Sequence, residues 1–415
     1  MSHILVVELP GGNDTDVIEA ILQRGDRFTF LTSDLGHYMR QDKVAQVLQK
    51  ASDIIAIDDF GDDHIKVCVE EKGLNQIQAV ICIVDIRIVA AAKIAQQIGV
   101  PFLEPETAAL LRDKFSVREK LLAAGLGNKN FRLARNEQEM FDAVYAIGYP
   151  VVIKPCDGYA SQNVVMIHGP EDLDPLISPI PALANQETDY GLGVSANRRW
   201  LVEKYLDGKF VGVDTLTHEG KHFVVGFNEK IMFPRPSFAI RGGCFSPANN
   251  NQNVLGQYAC AILDSVNFNH GAAHLEVMMT DEGPQLVEIN PRLVSAKIPR
   301  LMNLGLGRNV YNDLVDLHLG VLNFDQLKSA DLFAVSRWII AENEGILDDV
   351  HTPVSSNDAI RVSEILKRKG DNIRPPFENS DRIGYVMTSH KDREAAEKIA
   401  DQWVHETKIS YLSKS

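Results

Sequence analysis

Two acidic residues separated by twelve positions, Glu276 and Glu288, sit in a segment that alternates apolar and polar side chains on both sides of a turn. Residues 273–280 and 284–292 read as two strands joined at Asp281-Glu282-Gly283, a β-hairpin pattern. With the turn centred on Glu282, Leu275 faces Ile289 and Val277 faces Val287, giving one apolar face. The same register sets Glu276 opposite Glu288 and His274 opposite Asn290 on the other face. Directly opposed side chains have Cβ atoms about 4.5–5.5 Å apart, so two carboxylates there repel each other unless a cation lies between them. Glu276, Glu288 and Asn290 are all oxygen donors, the set that suits Mg²⁺, with Mn²⁺ as an alternative. Arg292, two residues beyond Asn290, adds a partner for a phosphate or a developing oxyanion. The competing reading is a solvated hairpin face with surface carboxylates, and His274 reads as a supporting polar residue rather than a ligand.

A second group of residues has the makings of a phosphate site. Residues 151–154 form an apolar strand that ends in Lys154, and a small-residue stretch containing Gly158, Tyr159, Ala160 and Ser161 leads to a second strand at 164–168. Such a loop can turn its backbone N–H groups toward phosphates, with lysine as a point charge. It can equally be a generous hairpin connection. Lys114, in Arg-Asp-Lys-Phe, falls within a helical pattern and taken alone is a surface lysine. The strand at 200–206 ends in Glu203-Lys204-Tyr205-Leu206, whose exit offers backbone donors and acceptors to the edge of a base; the plain alternative is an ordinary strand end.

These residues need a scaffold. Residues 1–100 alternate short apolar strands with amphipathic helices, the pattern of βαβ units and a parallel sheet. Gly11-Gly12-Asn13 lacks dinucleotide-loop spacing and reads as a tight turn. Residues 101–135 read as a helical connector, with one helix over 106–124 stopped by Gly125. From 136 to 206 strands come in pairs, and 173–196, rich in Pro, Gly, Asn and Ser, reads as a loop or insertion. Residues 207–330 contain the hairpin, and 331–415 form a further α+β unit.

Composition narrows the function classes. The chain has 415 residues, enough for several domains, and a formal net charge of −14, which disfavours nucleic acid and anionic membranes. No apolar run approaches the roughly 20 residues that span a bilayer, and the first residues read as a strand rather than a signal peptide. Five cysteines, at 68, 82, 156, 244 and 260, contain no CxxC pair, which fits a reducing cytoplasm better than a disulfide framework or a zinc site.

Taken in order, the motifs over about residues 105–325 resemble the ATP-grasp superfamily, with a pre-ATP-grasp domain at 1–100, small and large ATP-grasp subdomains at 136–206 and 207–330, and a C-terminal subdomain at 331–415. The resemblance implies a multidomain α/β and α+β fold in which Lys114 and Lys154 bind phosphates and Gly158, Tyr159, Ala160 and Ser161 cover them. It further implies that Glu203, Lys204, Tyr205 and Leu206 read adenine, that Asp214 is the acidic position after that hinge, and that Glu276, Glu288 and Asn290 hold two Mg²⁺. Arg292 and Arg241 would then steady an acyl phosphate and its tetrahedral successor. Three positions depart from the family pattern. Phe210 stands where a ribose-binding glutamate is common, which passes that contact to Asp207 or Asp214. Asn163 replaces the last glycine of the phosphate loop, and Cys244 occupies the place of a histidine found in dipeptide-forming members.

In length and layout the chain is most similar to L-amino-acid ligases of the bacilysin and dapdiamide synthetase type. That similarity implies an ADP-forming ligase in small-peptide or peptide-antibiotic synthesis, with small-molecule acid and amine substrates and a homodimeric state. Open alternatives are an ATP-grasp carboxylase or nucleotide-biosynthesis ligase, a non-catalytic nucleotide-binding protein, and a dinucleotide-dependent oxidoreductase.

Overall fold

The computed structural model describes residues 1–9, 14–158, 163–178, 199–233, 240–248, 254–354, 357–377 and 379–412. Gly11-Gly12-Asn13, Tyr159, Ala160, Ser161 and most of the 173–196 segment lie outside these residues. The architecture is a mixed α/β chain built on four sheets.

The first sheet is parallel, with strands β1 (His3–Val7), β2 (Arg27–Thr32), β3 (Asp53–Ala56) and β4 (Ala79–Ile81) in the order β3-β2-β1-β4. Parallel strands need helices on both faces, and four of the five residues of β1 are fully buried accordingly. The chain runs outward from β1 on one side and returns to β4 on the other. That reversal leaves a crevice beyond the carboxyl ends of β1 and β4, where ligands of open α/β sheets bind. The residues that follow these two strands, Asp14, Asp16 and 83–86, line a large cavity.

A second, antiparallel sheet joins β5 (Phe131–Ala134), β6 (Val151–Pro155), β7 (Val165–Ile167) and β8 (Trp200–Lys204) in the order β5-β8-β6-β7. It has a core of its own, with Met140, Val144, Ile153 and Trp200 among its buried members. β5, which the spacing assigns to the connector, is an edge strand of this sheet.

The third sheet has eight strands. β9 (Lys209–His218), β10 (Lys221–Met232), β11 (Ile240–Pro247), β12 (Gly271–Thr280) and β13 (Gly283–Asn290) are followed by β14 (Phe333–Ile339), β16 (Ile360–Ile365) and β18 (Gly384–His390). Their order is β13-β12-β9-β10-β11-β14-β18-β16. The C-terminal segment is therefore not a free-standing unit: three of its strands extend the large sheet through the pairing of β11 with β14. Only β15 (Gly345–His351), β17 (Asn372–Ile373) and β19 (Lys408–Tyr411) form a small sheet apart. The helix Arg393–Glu406 covers β14 and β18 with Ala396, Ala400 and Trp403.

Buried side chains of the parallel sheet and of the large sheet belong to the same continuous cores, so the two pack as one body. No helix among the described residues is long and apolar enough to cross a membrane. All five cysteines are free thiols.

Candidate active site

The hairpin β12–β13 pairs His274 with Asn290, Leu275 with Ile289 and Glu276 with Glu288, as the alternation predicts. Beyond that point the predicted register fails. Thr280 pairs with Gly283 around a two-residue turn, and Val277 faces Leu286 rather than Val287. A bulge between Glu276 and Val277 absorbs the difference and leaves Val287 without a partner across the hairpin. Its carbonyl is free to face sideways, and it accepts hydrogen bonds from Lys154 Nζ at 3.0 Å and from Arg118 at 2.7 Å. The bulge thus ties the hairpin to the second sheet.

On its other side β12 lies against β9, where Gly212 pairs with Glu276. A Cβ at Gly212 would stand 2.5 Å from the His274 ring, so glycine is what lets that ring lie flat beside the acidic pair. His274 Nδ1 sits 3.0 Å from Asp214, and Asn228 donates to the same carboxylate. Asp214, directly opposite His274 on β9, is buried in this network and does not line the cleft. The structure therefore corrects its assignment to the nucleotide: it positions His274 instead.

The spacing also predicts one helix over 106–124. Two form, Pro105–Leu111 and Lys114–Ala123, because Asp113 caps the second by accepting from the Ser116 amide at 3.0 Å. Lys114 is thereby the first residue of a helix and not a mid-helix surface lysine. It is buried, and its Nζ lies 2.9 Å from Glu288 and 2.6 Å from the Gly158 carbonyl.

A cleft opens between the second sheet and the hairpin. Lys114, Lys154, Gly158, Glu203, Lys204, Tyr205, Leu206, Glu276 and Glu288 line it, with Val152, Val164, Met278 and Val287 as apolar walls. Lys154, 2.5 Å from Glu203, is buried, and Arg118 donates to the same carboxylate at 2.8 Å. Burial pushes Glu203 up, but the charges of Arg118 and Lys154 outweigh it and hold the carboxyl at about 2. Burial pulls Lys154 below the ordinary lysine range despite Glu203. Glu276 meets Lys230 at 3.3 Å, and that cation, against the opposing effect of burial, keeps its carboxyl below the usual range.

The side chain of Glu203 is committed to this cation pair, so it does not reach a base. The amides of Lys204 and Tyr205 donate to the carbonyls of Asn130 and Pro150, and Lys204 Nζ to those of Gly148 and Tyr149. The Leu206 amide donates to no described residue. Asp207 is exposed and does not line the cleft, and Phe210 lies under Lys230 with the ammonium 4.7 Å from its ring.

Arg292 lies at the junction of the hairpin with the parallel sheet, bound to Asp85 at 2.5 Å and 2.8 Å. Burial opposes its charge, but Asp85 raises its pKa further above neutrality. Arg292 lines the large cavity next to the cleft. Arg241 does not. It is half exposed and pairs with Asp401 on the C-terminal helix at 3.3 Å, while its neighbours Gly242 and Gly243 face the cavity. The structure thus assigns Arg241 to the packing of that helix. Cys244 is fully buried in the core under the same helix.

Arg118, Lys230 and Asp85 escape motif matching. Arg118 lies one helical turn after Lys114, a spacing that puts both on one face, and Asp85 follows β4 at the sheet's reversal point. Among the described residues no group of three or more His, Cys, Asp or Glu is clustered as a metal site. Two opposed carboxylates followed by Asn290 make an all-oxygen set instead, which fits a hard cation that keeps water or phosphate in its other positions.

Residues 147–298 match the model of an ATP-grasp domain, and residues 337–411 match L-amino acid ligase C-terminal domain 2. An uncharacterized protein of Sinorhizobium fredii, y4rH, is 26% identical over 327 residues, 75% of this chain and 64% of its own length. Dapdiamide A synthase of Enterobacter agglomerans is 26% identical over 224 residues, 53% of this chain and 51% of its own length. The L-arginine-specific L-amino acid ligase of Bacillus subtilis is 24% identical over 217 residues, half of each chain. The matches thus span between half and two thirds of these relatives. Among solved structures, an L-amino acid ligase from Bacillus licheniformis superposes with a TM-score of 0.76 at 17% identity, covering 100% of this chain and 99% of that one. A phosphoribosylglycinamide synthetase from Anaerococcus prevotii follows with a TM-score of 0.73 at 16% identity, covering 99% and 100%. Both share the fold.

Proposed function

From a chain that carries an ATP-grasp domain and an L-amino acid ligase C-terminal domain, we propose an ADP-forming ligase that joins the carboxylate of one amino acid or amino-acid derivative to the amine of another. The observation that carries this reading is the cleft itself, where Glu276 and Glu288 oppose each other beneath Lys114 and Lys154. That is a phosphate site with its counter-charges already in place. The base would lie between Val152, Val164 and Met278 against the Leu206 amide, and the phosphates would reach Lys114 and Lys154. Gly158, with the neighbouring Tyr159, Ala160 and Ser161, would cover them.

Glu276, Glu288 and Asn290 would hold one or two Mg²⁺, or Mn²⁺ in their place, which would offset the charge of the phosphate oxygens. The reaction needs positioning and charge neutralisation more than covalent help. An oxygen of the substrate carboxylate attacks the γ-phosphorus, the bond to the β-phosphate oxygen breaks, and ADP leaves. The amine nitrogen then attacks the acyl carbon, inorganic phosphate departs, and the amine proton passes to solvent. Arg292, bound to Asp85 and lining the second cavity, would hold the anionic oxygens of both stages. Small-peptide assembly, a homodimer in the cytoplasm and the absence of nucleic-acid or membrane partners belong to the same reading.

Labelled oxygen tests it. When wild-type protein is given ATP, an amine and a carboxylic acid carrying ¹⁸O, each turnover should deliver one ¹⁸O to the released phosphate, and mass spectrometry should find an amide product. ADP release with unlabelled phosphate would rule out the phosphorylated carboxylate.

A further inference from the structure

The cavity beside the nucleotide cleft has a volume of about 950 Å³ and meets the cleft at Lys230. Among the described residues, seven basic and five acidic side chains line it, in a chain whose net charge is −14. A cationic excess against so acidic a background is a local arrangement, not a reflection of composition.

Most of these charges neutralise one another or a close neighbour. Lys230 meets Glu276, Arg292 meets Asp85, Arg300 grips Asp16 through two nitrogens, and Lys43 reaches Glu19. Arg368 is exposed at the rim. Two half-buried cations have no carboxylate in ion-pair range among the described residues. The guanidinium of Arg382 lies 3.7 Å from the centre of the Trp338 ring, and the ammonium of Lys297 stands 5.9 Å from that of Tyr385. The two rings touch edge to face at 5.2 Å, so both cations rest on one aromatic wall. The Arg382 guanidinium packs on the Trp338 ring, and among the described residues its side chain donates to the Asn379 carbonyl. Burial alone pulls Arg382 down to about 10. Among the described residues one anion likewise has no ion pair: Asp14, past the end of β1, accepts the Asp16 amide. Burial first, then the neighbouring Asp16, pushes its carboxyl up to about 6, against the opposing charges of Lys297 and Arg300, which act on it without an ion-pair contact.

Two open cations and one open anion in a single cavity complement two carboxylates and one ammonium. We propose that, within the ligase reading above, the substrate that brings the amine is an acidic α-amino acid of the aspartate or glutamate class. Arg382 on Trp338 holds its side-chain carboxylate, Lys297 its α-carboxylate and Asp14 its ammonium. An acid that serves as acyl donor would instead turn one carboxylate toward the hairpin and leave one of the two cations unmatched.

The test compares aspartate and glutamate with their isosteric amides, asparagine and glutamine, as amine donors at fixed ATP and a fixed carboxylic acid. Wild-type protein should prefer the acids at least tenfold in kcat/KM. Arg382→Gln should erase that preference through KM for the acid while leaving KM for ATP unchanged. Arg382→Lys should not restore it, since an ammonium lacks the planar fork. Lys297→Met, which removes the second cation without touching the Trp338 stack, should also weaken both acids at least tenfold. Calorimetric titration of glutamate against glutamine, with Mg²⁺ and a non-hydrolysable ATP analogue present, reads the same contacts without turnover. Glutamate binding that depends on Arg382 with no amide formed from any pair would sink the ligase reading and keep this one. Amide formation that favours neutral amines, or a preference unchanged in Arg382→Gln, would overturn this one and keep the ligase.

Discussion

At the scale of single residues, the cleft is organised by one buried carboxylate. Glu203 sits between Lys154 and Arg118, and each of the three side chains is less than 15% exposed. Removing one member of such a group leaves uncompensated charge in low dielectric, which typically costs about 3–5 kcal/mol. Glu203→Gln should therefore lower stability at neutral pH by that order and raise KM for ATP, read by denaturant melts and initial rates. The sign of its pH dependence follows from its folded carboxyl lying at about 2, below the unfolded value. Its contribution is complete above the unfolded pKa and disappears as pH falls through that window. The gap between wild type and Glu203→Gln should thus narrow on acidification; a constant gap would show that the pair is not the cause. Lys154 and the opposed glutamates are legible in the sequence because strand alternation and a turn locate them, whereas Lys114, taken alone, reads as a surface lysine and is singled out only by the family resemblance. Arg118, Lys230 and Asp85 are not, since each reaches the site from a distant segment and its partner is visible only once the chain has folded.

At the scale of elements, two irregularities set the site, and neither follows from periodicity. The bulge after Glu276 turns the Val287 carbonyl toward Lys154, and the break at Asp113 brings Lys114 to a helix start. An uninterrupted helix would carry Lys114 as a mid-helix residue, as the helical periodicity over 106–124 predicts. Asp113→Ala removes the cap, worth about 1 kcal/mol, and also the pairing of Asp113 with Arg199. Its expected signature is a modest loss of thermal stability with a several-fold rise in KM for ATP, because Lys114 loses its anchor. An unchanged KM would mean that Lys114 is positioned by its contacts with Gly158 and Glu288 alone.

At the scale of the whole molecule, the parallel sheet, the paired strands and the hairpin can each be read from residue patterns, whereas their assembly cannot. Nothing in the local pattern of 333–339 or 384–390 shows that these strands complete the sheet begun at Lys209, since sheet partners so far apart in sequence are chosen by packing. That continuation carries Trp338, Tyr385 and Arg382 to the cavity opposite Asp14 and Arg292, so one chamber joins the first and last segments of the chain. On the proposed reading, this chamber feeds a phosphoryl transfer centred on the hairpin. Its most direct test is ADP formation by Glu288→Gln, with any acid and amine pair that the wild type joins. The account predicts that ADP formation is lost while the melting curve and circular dichroism match the wild type; turnover at the wild-type rate would contradict it.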